Sequence, residues 1–215
     1  DVESIRLEVL KFSEAQKQQS EIDASALSLA SQILTGEDIS NVSVPALIKA
    51  VKEASPPVKV QIFYQAKDAR RQWFYESKLS RLDRTIPIFK GLIESDVEQQ
   101  FHRNYAQLGY VYKDRRQPDY AKALELFNKA IEIRGPHQKS GYQIYELCRA
   151  ISRINLDENF NNHRPSDEKA VKDILADIDV ALAAQIYMSE EKSVIEWLKL
   201  NANDRVSLAE RTKPK

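Results

Sequence analysis

Tyr105-Ala-Gln-Leu-Gly-Tyr-Val-Tyr112, a polar turn Lys113-Asp-Arg-Arg-Gln-Pro-Asp119, then Tyr120-Ala-Lys-Ala-Leu-Glu-Leu-Phe-Asn-Lys-Ala-Ile-Glu-Ile133 and Gly135-Pro136 form the stretch that decides the fold. Tyr105, Leu108 and Tyr112 recur at i, i+3, i+7, and Ala123, Leu126, Phe127, Ala130 and Ile131 at i, i+3, i+4, i+7, i+8, which is the stripe of an amphipathic helix in each case. Two such helices can bury one another's stripes. Asp119 is a good N-cap, Pro118 discourages helix before it, and Gly135 with Pro136 supplies a left-handed terminator followed by a residue that cannot continue the helix. Gly109 sits inside the first helix, where it costs about 1 kcal/mol against alanine unless a close crossing requires it.

The spacing resembles one tetratricopeptide repeat, a helix–turn–helix unit with fixed small and large positions. Tyr105, Leu108, Gly109 and Tyr112 stand where that family has W-x-x-L-G-x-x-Y, with Tyr for Trp; Ala123, Phe127 and Ala130 stand in its A-x-x-x-F-x-x-A pattern. The second set falls two residues late, so the turn at 113–119 carries an insertion, which a loop absorbs for a fraction of a kcal/mol. The match is clear over residues 101–136. Weaker matches cover 58–94, where only Phe89 agrees, and 140–187, where Ile144, Leu147, Cys148 and Ile151 take the W, L, G and Y positions. The resemblance implies antiparallel helical hairpins stacked as a right-handed superhelix, an α-solenoid.

Composition agrees with an all-α chain. Five Gly and eight Pro among 215 residues are too few for the turns of sandwiches and barrels. Lys plus Arg and Asp plus Glu balance at 32 each, so no global positive field draws nucleic acid or an anionic membrane. The single cysteine, Cys148, excludes an internal disulfide framework and fits a cytoplasmic setting. No apolar run approaches the roughly 18 residues of a membrane span. Asp1-Val-Glu-Ser is neither a signal peptide nor an initiator methionine, so the chain is expected to belong to a longer protein.

Along the chain, helices are expected over Val2 to Gln18, Asp23 to Leu34 and from Val44-Pro45 to Val51, before a break at Ser55-Pro56-Pro57. A long helix from Val58 to Lys78 and one from Arg84 to Glu94, capped by Asp83, follow. Beyond the clear repeat come a helix through Tyr142 to Ile151, a partner over Lys169 to Tyr187 introduced by Pro165-Ser166, and a last helix capped by Ser189 through Trp197 that closes the array. The organisation expected is an N-terminal helical segment over 1–55, a repeat array with capping helix over 56–200, and a polar tail over 201–215.

Catalytic constellations are missing. His102, His137 and His163 are isolated, and no H-E-x-x-H, G-x-S-x-G, P-loop or G-x-G-x-x-G appears, so neither enzyme activity, a cofactor nor a metal is expected. Cys148 lies on an apolar stripe, where free cysteine acts as a small hydrophobe. The family resemblance implies a peptide-binding face at Arg103, Ala106, Gln107, Tyr110 and Lys113, and at Tyr142, Tyr145, Glu146, Arg149 and Ser152. Of these, Arg103, Tyr110, Lys113, Tyr142, Tyr145 and Arg149 carry the recognition chemistry: cations that fork onto carboxylates and tyrosines that offer area with a hydroxyl handle.

The expected partner is therefore a protein or peptide, acidic in character. The family's carboxylate-gripping Lys and Asn are replaced by Ala106 and Tyr110, which disfavours a chaperone tail. Alternatives are a regulatory or sensor domain of a multidomain signalling or defence protein, and an RNA-binding repeat protein. The last rests on Lys67, Arg70, Arg71, Lys78, Arg81 and Arg84 interleaved with Trp73, Phe74 and Tyr75, and is opposed by Asp68, Glu76 and Asp83. The sequence says nothing of oligomeric state.

Overall fold

From Val2 to Thr35 the sequence contains neither Gly nor Pro, and α1 (Val2–Thr35) runs through the whole span as one helix about 51 Å long. Two helices were expected here; nothing at residues 18–23 breaks the backbone, so the polar stretch stays helical. The computed structural model describes residues 2–189 and 191–211. Among the described residues every regular element is helical. The chain packs as two compact units, Asp1–Gln99 and Gln100–Lys215.

In the first unit, α2 (Val44–Glu53) opens with Pro45 in its first turn and Ser43 Oγ accepting from the Ala46 N–H. The Ser55-Pro56-Pro57 break is a corner, after which Pro56 begins α3 (Pro56–Tyr75). Asp23 of α1 grips that corner. Its carboxylate accepts from the Ser55 N–H at 2.7 Å and the Ser55 hydroxyl at 2.6 Å, and Gln19 Nε2 donates to Asp23 and to the Glu53 carbonyl. Residue 55 is thus a bend inside a unit to which α1, α2 and α3 all contribute, rather than the edge of a separate N-terminal segment.

A 3-10 turn (Leu79–Thr85) leads into α4 (Ile86–Ser95), with Asp83 inside the turn instead of at the helix cap. The helices expected as one hairpin over 58–94 find their main neighbours elsewhere: α4 packs chiefly on α2, and α3 on the 3-10 turn and α1. Gly91 explains the preference. A Cβ built there would lie 2.9 Å from Val51 Cβ and 3.0 Å from the Ile48 carbonyl oxygen, so only glycine lets the α4 backbone approach α2 this closely.

In the second unit α5 (His102–Asp114) packs on α6 (Tyr120–Arg134). Asp119 accepts from the Lys122 N–H, and Gly135 at φ +74° ends α6, as the local sequence dictates. A Cβ at Gly109 would stand 3.1 Å from Cε1 and Cζ of the fully buried Phe127 ring, so the glycine opens the seat that this phenylalanine fills. A short α7 (His137–Ser140) precedes α8 (Ile144–Leu156), which packs on α6. Another short helix, α9 (Glu158–Asn161), precedes α10 (Glu168–Ala183), which packs on α8.

Next, α11 (Lys192–Asn201) packs against α8. Ser189 was expected to cap it, but Glu191 precedes the first turn, because Met188 is drawn into the core and the helix starts later. Trp197 is buried there, with its Nε1 donating to Ser166 Oγ at 2.8 Å. The residues after Asn201 are not simply a polar tail. A 3-10 turn (Asn203–Arg205) and α12 (Val206–Ala209) return Val206 and Ala209 to the core beside Trp197. Residues 212–215 of the expected tail lie outside the described residues.

Gly109→Leu should destabilise the fold by about 1–3 kcal/mol through overpacking against Phe127, read as a lower denaturant midpoint at unchanged slope. Gly91→Ala should lower the midpoint as well, since its one added carbon meets backbone. An unchanged midpoint in both variants would mean that neither crossing is as close as described.

Candidate functional site

The end of α6 and the start of α8 are joined by residues 135–143, and Arg134 organises them. Its side chain and that of Glu146 are only 1% and 5% exposed. Nη2 donates to Glu146 Oε1 at 2.6 Å and Nη1 to Oε2 at 3.0 Å, a fork-to-fork pair. Two further donors hold backbone: Nη1 to the Tyr142 carbonyl at 3.1 Å and Nε to the Gly135 carbonyl at 3.0 Å. Ser140 Oγ closes the loop by donating to the Arg134 carbonyl.

Tyr142 is the residue this clasp displays. It sits at φ +60°, the left-handed region that a bulky side chain rarely occupies, with its own carbonyl pinned by Arg134. The residue is 43% exposed and its ring stacks on Tyr145, centroids 5.5 Å apart, while Tyr145 itself is 2% exposed. The His102 ring meets Tyr142 edge-on at 4.9 Å, and its Nδ1 lies 3.0 Å from the Tyr145 hydroxyl. Tyr110 of α5 approaches Tyr145 at 6.5 Å and Phe127 at 5.3 Å.

Electrostatics follow from this packing. Burial, then the charges of Arg103 and Arg134, hold the His102 pKa below its ordinary value. Burial, reinforced by Tyr142, pushes the Tyr145 phenol well above its ordinary value, so its hydroxyl stays protonated beside His102. The arrangement presents a half-open aromatic surface, with the half-buried Arg103 acting on His102 and Tyr145 through its charge. Among the described residues no group of three or more His, Cys, Asp or Glu is placed to hold a metal ion.

Of the six residues expected to form the binding face, the structure thus brings Tyr142 and Tyr145 against His102 and Tyr110 against Tyr145, with Arg103 near enough to His102 and Tyr145 to act on their charge. Lys113 and Arg149 spend their charges inside the unit. Lys113 is mostly buried and pairs with Asp114; burial opposes its charge, but Cys148 and Asp114 outweigh that and raise its pKa. Arg149 forks onto the buried carboxylate of Asp177 in α10, which also takes Arg153 at 2.7 Å. There too burial opposes the charge, and the bonds to Asp177 outweigh it, holding the Arg149 pKa above its ordinary value.

The other positions on the expected face, Ala106, Gln107, Glu146 and Ser152, are buried. His102 and Arg134 were missed. The signal available was a glutamate, Glu146, inside the apolar run Tyr145 to Cys148, which needs a buried cation to answer it. The cationic cluster of α3 does not form one surface either: Arg70 and Trp73 are buried, Arg84 donates to the carbonyls of Gly36 and Glu37, and Lys78 pairs with Glu76.

Two recesses lie elsewhere in this unit. One of about 460 Å³ is bordered by Arg153, Asp157, Lys169 and Asp173; a mostly apolar one of about 650 Å³ is bordered by Leu182, Ile186, Tyr187 and Leu208. Comparison of the chain with protein-family models, curated proteins and solved structures gives no match.

Removing one partner of the buried pair, as in Glu146→Leu, should cost about 3–5 kcal/mol because it strands the Arg134 charge, whereas Arg134→Met with Glu146→Leu should recover most of the loss. Equilibrium unfolding of the three variants measures both. His102 adds a pH dependence. Its folded pKa lies below the unfolded value of about 6.5, so the unfolded chain binds the extra proton first and stability falls as pH drops through 6.5, levelling once the folded imidazole also protonates. His102→Gln should flatten that slope, and NMR titration of the ring should give a midpoint below 6.5.

Proposed function

We propose that this chain is a non-catalytic, tetratricopeptide-like protein-interaction module whose helical hairpins stack as a solenoid and hold an acidic, aromatic-bearing segment of a protein partner. The observation that carries the reading is Tyr142. A tyrosine in the left-handed region costs of order 1–3 kcal/mol, and such strain persists where surrounding contacts enforce it and clusters at ligand clamps. Here the enforcing contact is the Arg134 clasp, and its outcome is a half-exposed tyrosine stacked on Tyr145, whose phenol lies within the field of Arg103. Rigid tyrosines give contact area at small entropic cost, and arginine matches a carboxylate in two-pronged fashion. The repeat assignment is supported by the Gly109–Phe127 seat at a family-spaced small and large pair, and by the order in which α5, α6, α8 and α10 each pack on the one before.

Affinity capture with the chain in its parent context tests this reading. Tyr142→Gly suits the backbone, because glycine adopts φ +60° freely, and it removes only the ring. That variant and Arg103→Glu should each lose captured partners while keeping the wild-type helical circular dichroism. Full retention of every partner by folded Tyr142→Gly/Arg103→Glu would place binding on another surface.

A further inference from the structure

His102 touches both tyrosines of the aromatic stack, yet nothing in its surroundings answers a charge on its ring. Nδ1 is committed to the Tyr145 hydroxyl at 3.0 Å, and the ring lies edge-on to Tyr142 and Tyr145, with centroids 4.9 and 5.7 Å away. Nε2 has no hydrogen-bond partner among the described residues, and the residue is only half-buried. The charges that act on the ring are Arg103 in its own helix and Arg134 at the end of α6, both positive. In α8, Glu146 gives both its carboxylate oxygens to Arg134. The other titratable groups set against the ring are phenols, Tyr142 from the loop before α8 and Tyr145 within it. An imidazolium here would thus add a positive charge to two others without gaining a carboxylate of its own, which is why burial and the two guanidiniums depress the His102 pKa.

We infer that His102 is the proton-coupled contact of this site: a carboxylate of the bound partner accepts from the imidazolium Nε2, so that capture of the partner takes up a proton. This rests on the reading of the site as the holder of an acidic segment, and it names the residue and the regulation that reading implies. The partner's carboxylate supplies the counter-charge that the chain withholds. The Tyr145 contact permits the change without rearrangement, because a phenol hydroxyl can donate to the neutral ring or accept from the charged one. Burial keeps that phenol protonated throughout.

Linkage then fixes the direction. Whatever factor the partner adds to the proton affinity of His102, the proton adds to the affinity for the partner. In the free chain the His102 pKa lies below its ordinary value of about 6.5, and a carboxylate against Nε2 raises it. Affinity therefore climbs as pH falls through the pKa of the complex and levels off below that of the free chain. Glutamate carboxylates of the partner, with an ordinary pKa of about 4.3, remain ionised over that interval.

NMR titration of the full chain with a defined probe, the acetylated and amidated peptide Glu-Phe-Glu, tests the inference. The His102 ring, identified by its loss in His102→Gln, should titrate about one pH unit higher in the presence of saturating peptide than in its absence. Affinity, read from the Tyr142 ring resonances, should rise about tenfold between about pH 7.5 and pH 5.5 in the wild type. In His102→Gln of unchanged helical circular dichroism it should be the same at both. Peptide that shifts the Tyr142 resonances while leaving the His102 midpoint in place overturns proton coupling and leaves the binding reading standing. An equal rise of affinity in folded His102→Gln also overturns it, since another group then takes the proton. Peptide that moves neither ring at any pH contradicts both the coupling and the reading of this surface as a holder of acidic, aromatic segments.

Discussion

A guanidinium withdrawn from water must have all its donors answered, and this requirement at Arg134 shapes the second unit. The side chain is 1% exposed, which would be prohibitive without Glu146 taking two of its hydrogen bonds and the carbonyls of Gly135 and Tyr142 taking others. Meeting those demands fixes the distance between the end of α6 and the start of α8, and it dictates the backbone conformation at Tyr142. A buried ion pair adds little net stability over an apolar pair of the same volume, so its effect here is to specify geometry. Asp177 acts in the same way at the next helix pair, where Arg149 and Arg153 of α8 converge on α10. Successive helices are thus registered by buried charge as well as by apolar stripes.

This division of labour explains the candidate site. Apolar contacts such as Phe127 in the seat left by Gly109 bring α5 and α6 together, but apolar packing alone would leave the connection before α8 free to choose among conformations. The clasp selects one in which Tyr142 lies over Tyr145 and against His102. Rings held in this way present a fixed surface with little side-chain freedom left to lose, which is what the proposed binding role asks of it.

Local rules made the helices legible. Asp119 caps α6, Gly135 ends it, Pro56 opens α3 and the stripe of α5 turns inward, because each outcome depends on residues within a few positions of one another. The buried charge pairs were not legible, since Arg134 and Glu146 are twelve residues apart and Arg149 and Asp177 twenty-eight, and a lone arginine on a helix reads as solvated. The same blindness placed Arg149 and Lys113 on a binding face when each has a carboxylate partner within the unit. In the first unit, the unbroken polar middle of α1 read as a gap between helices, although a chain with no Gly, no Pro and good helix formers has no reason to stop. Gly91, unremarked in the sequence, proved to set which helix α4 packs on.

The role of the Arg134–Glu146 pair in positioning the aromatic site is tested most directly by the ring-to-ring nuclear Overhauser effect between His102 and Tyr142. It should be strong in the wild type, and it should disappear in Arg134→Met/Glu146→Leu while the helical circular dichroism and the contact between Gly109 and Phe127 remain. Persistence of the effect at full strength in that folded double variant would show that Tyr142 is held by its ring contacts alone and that the ion pair does not contribute to presenting it.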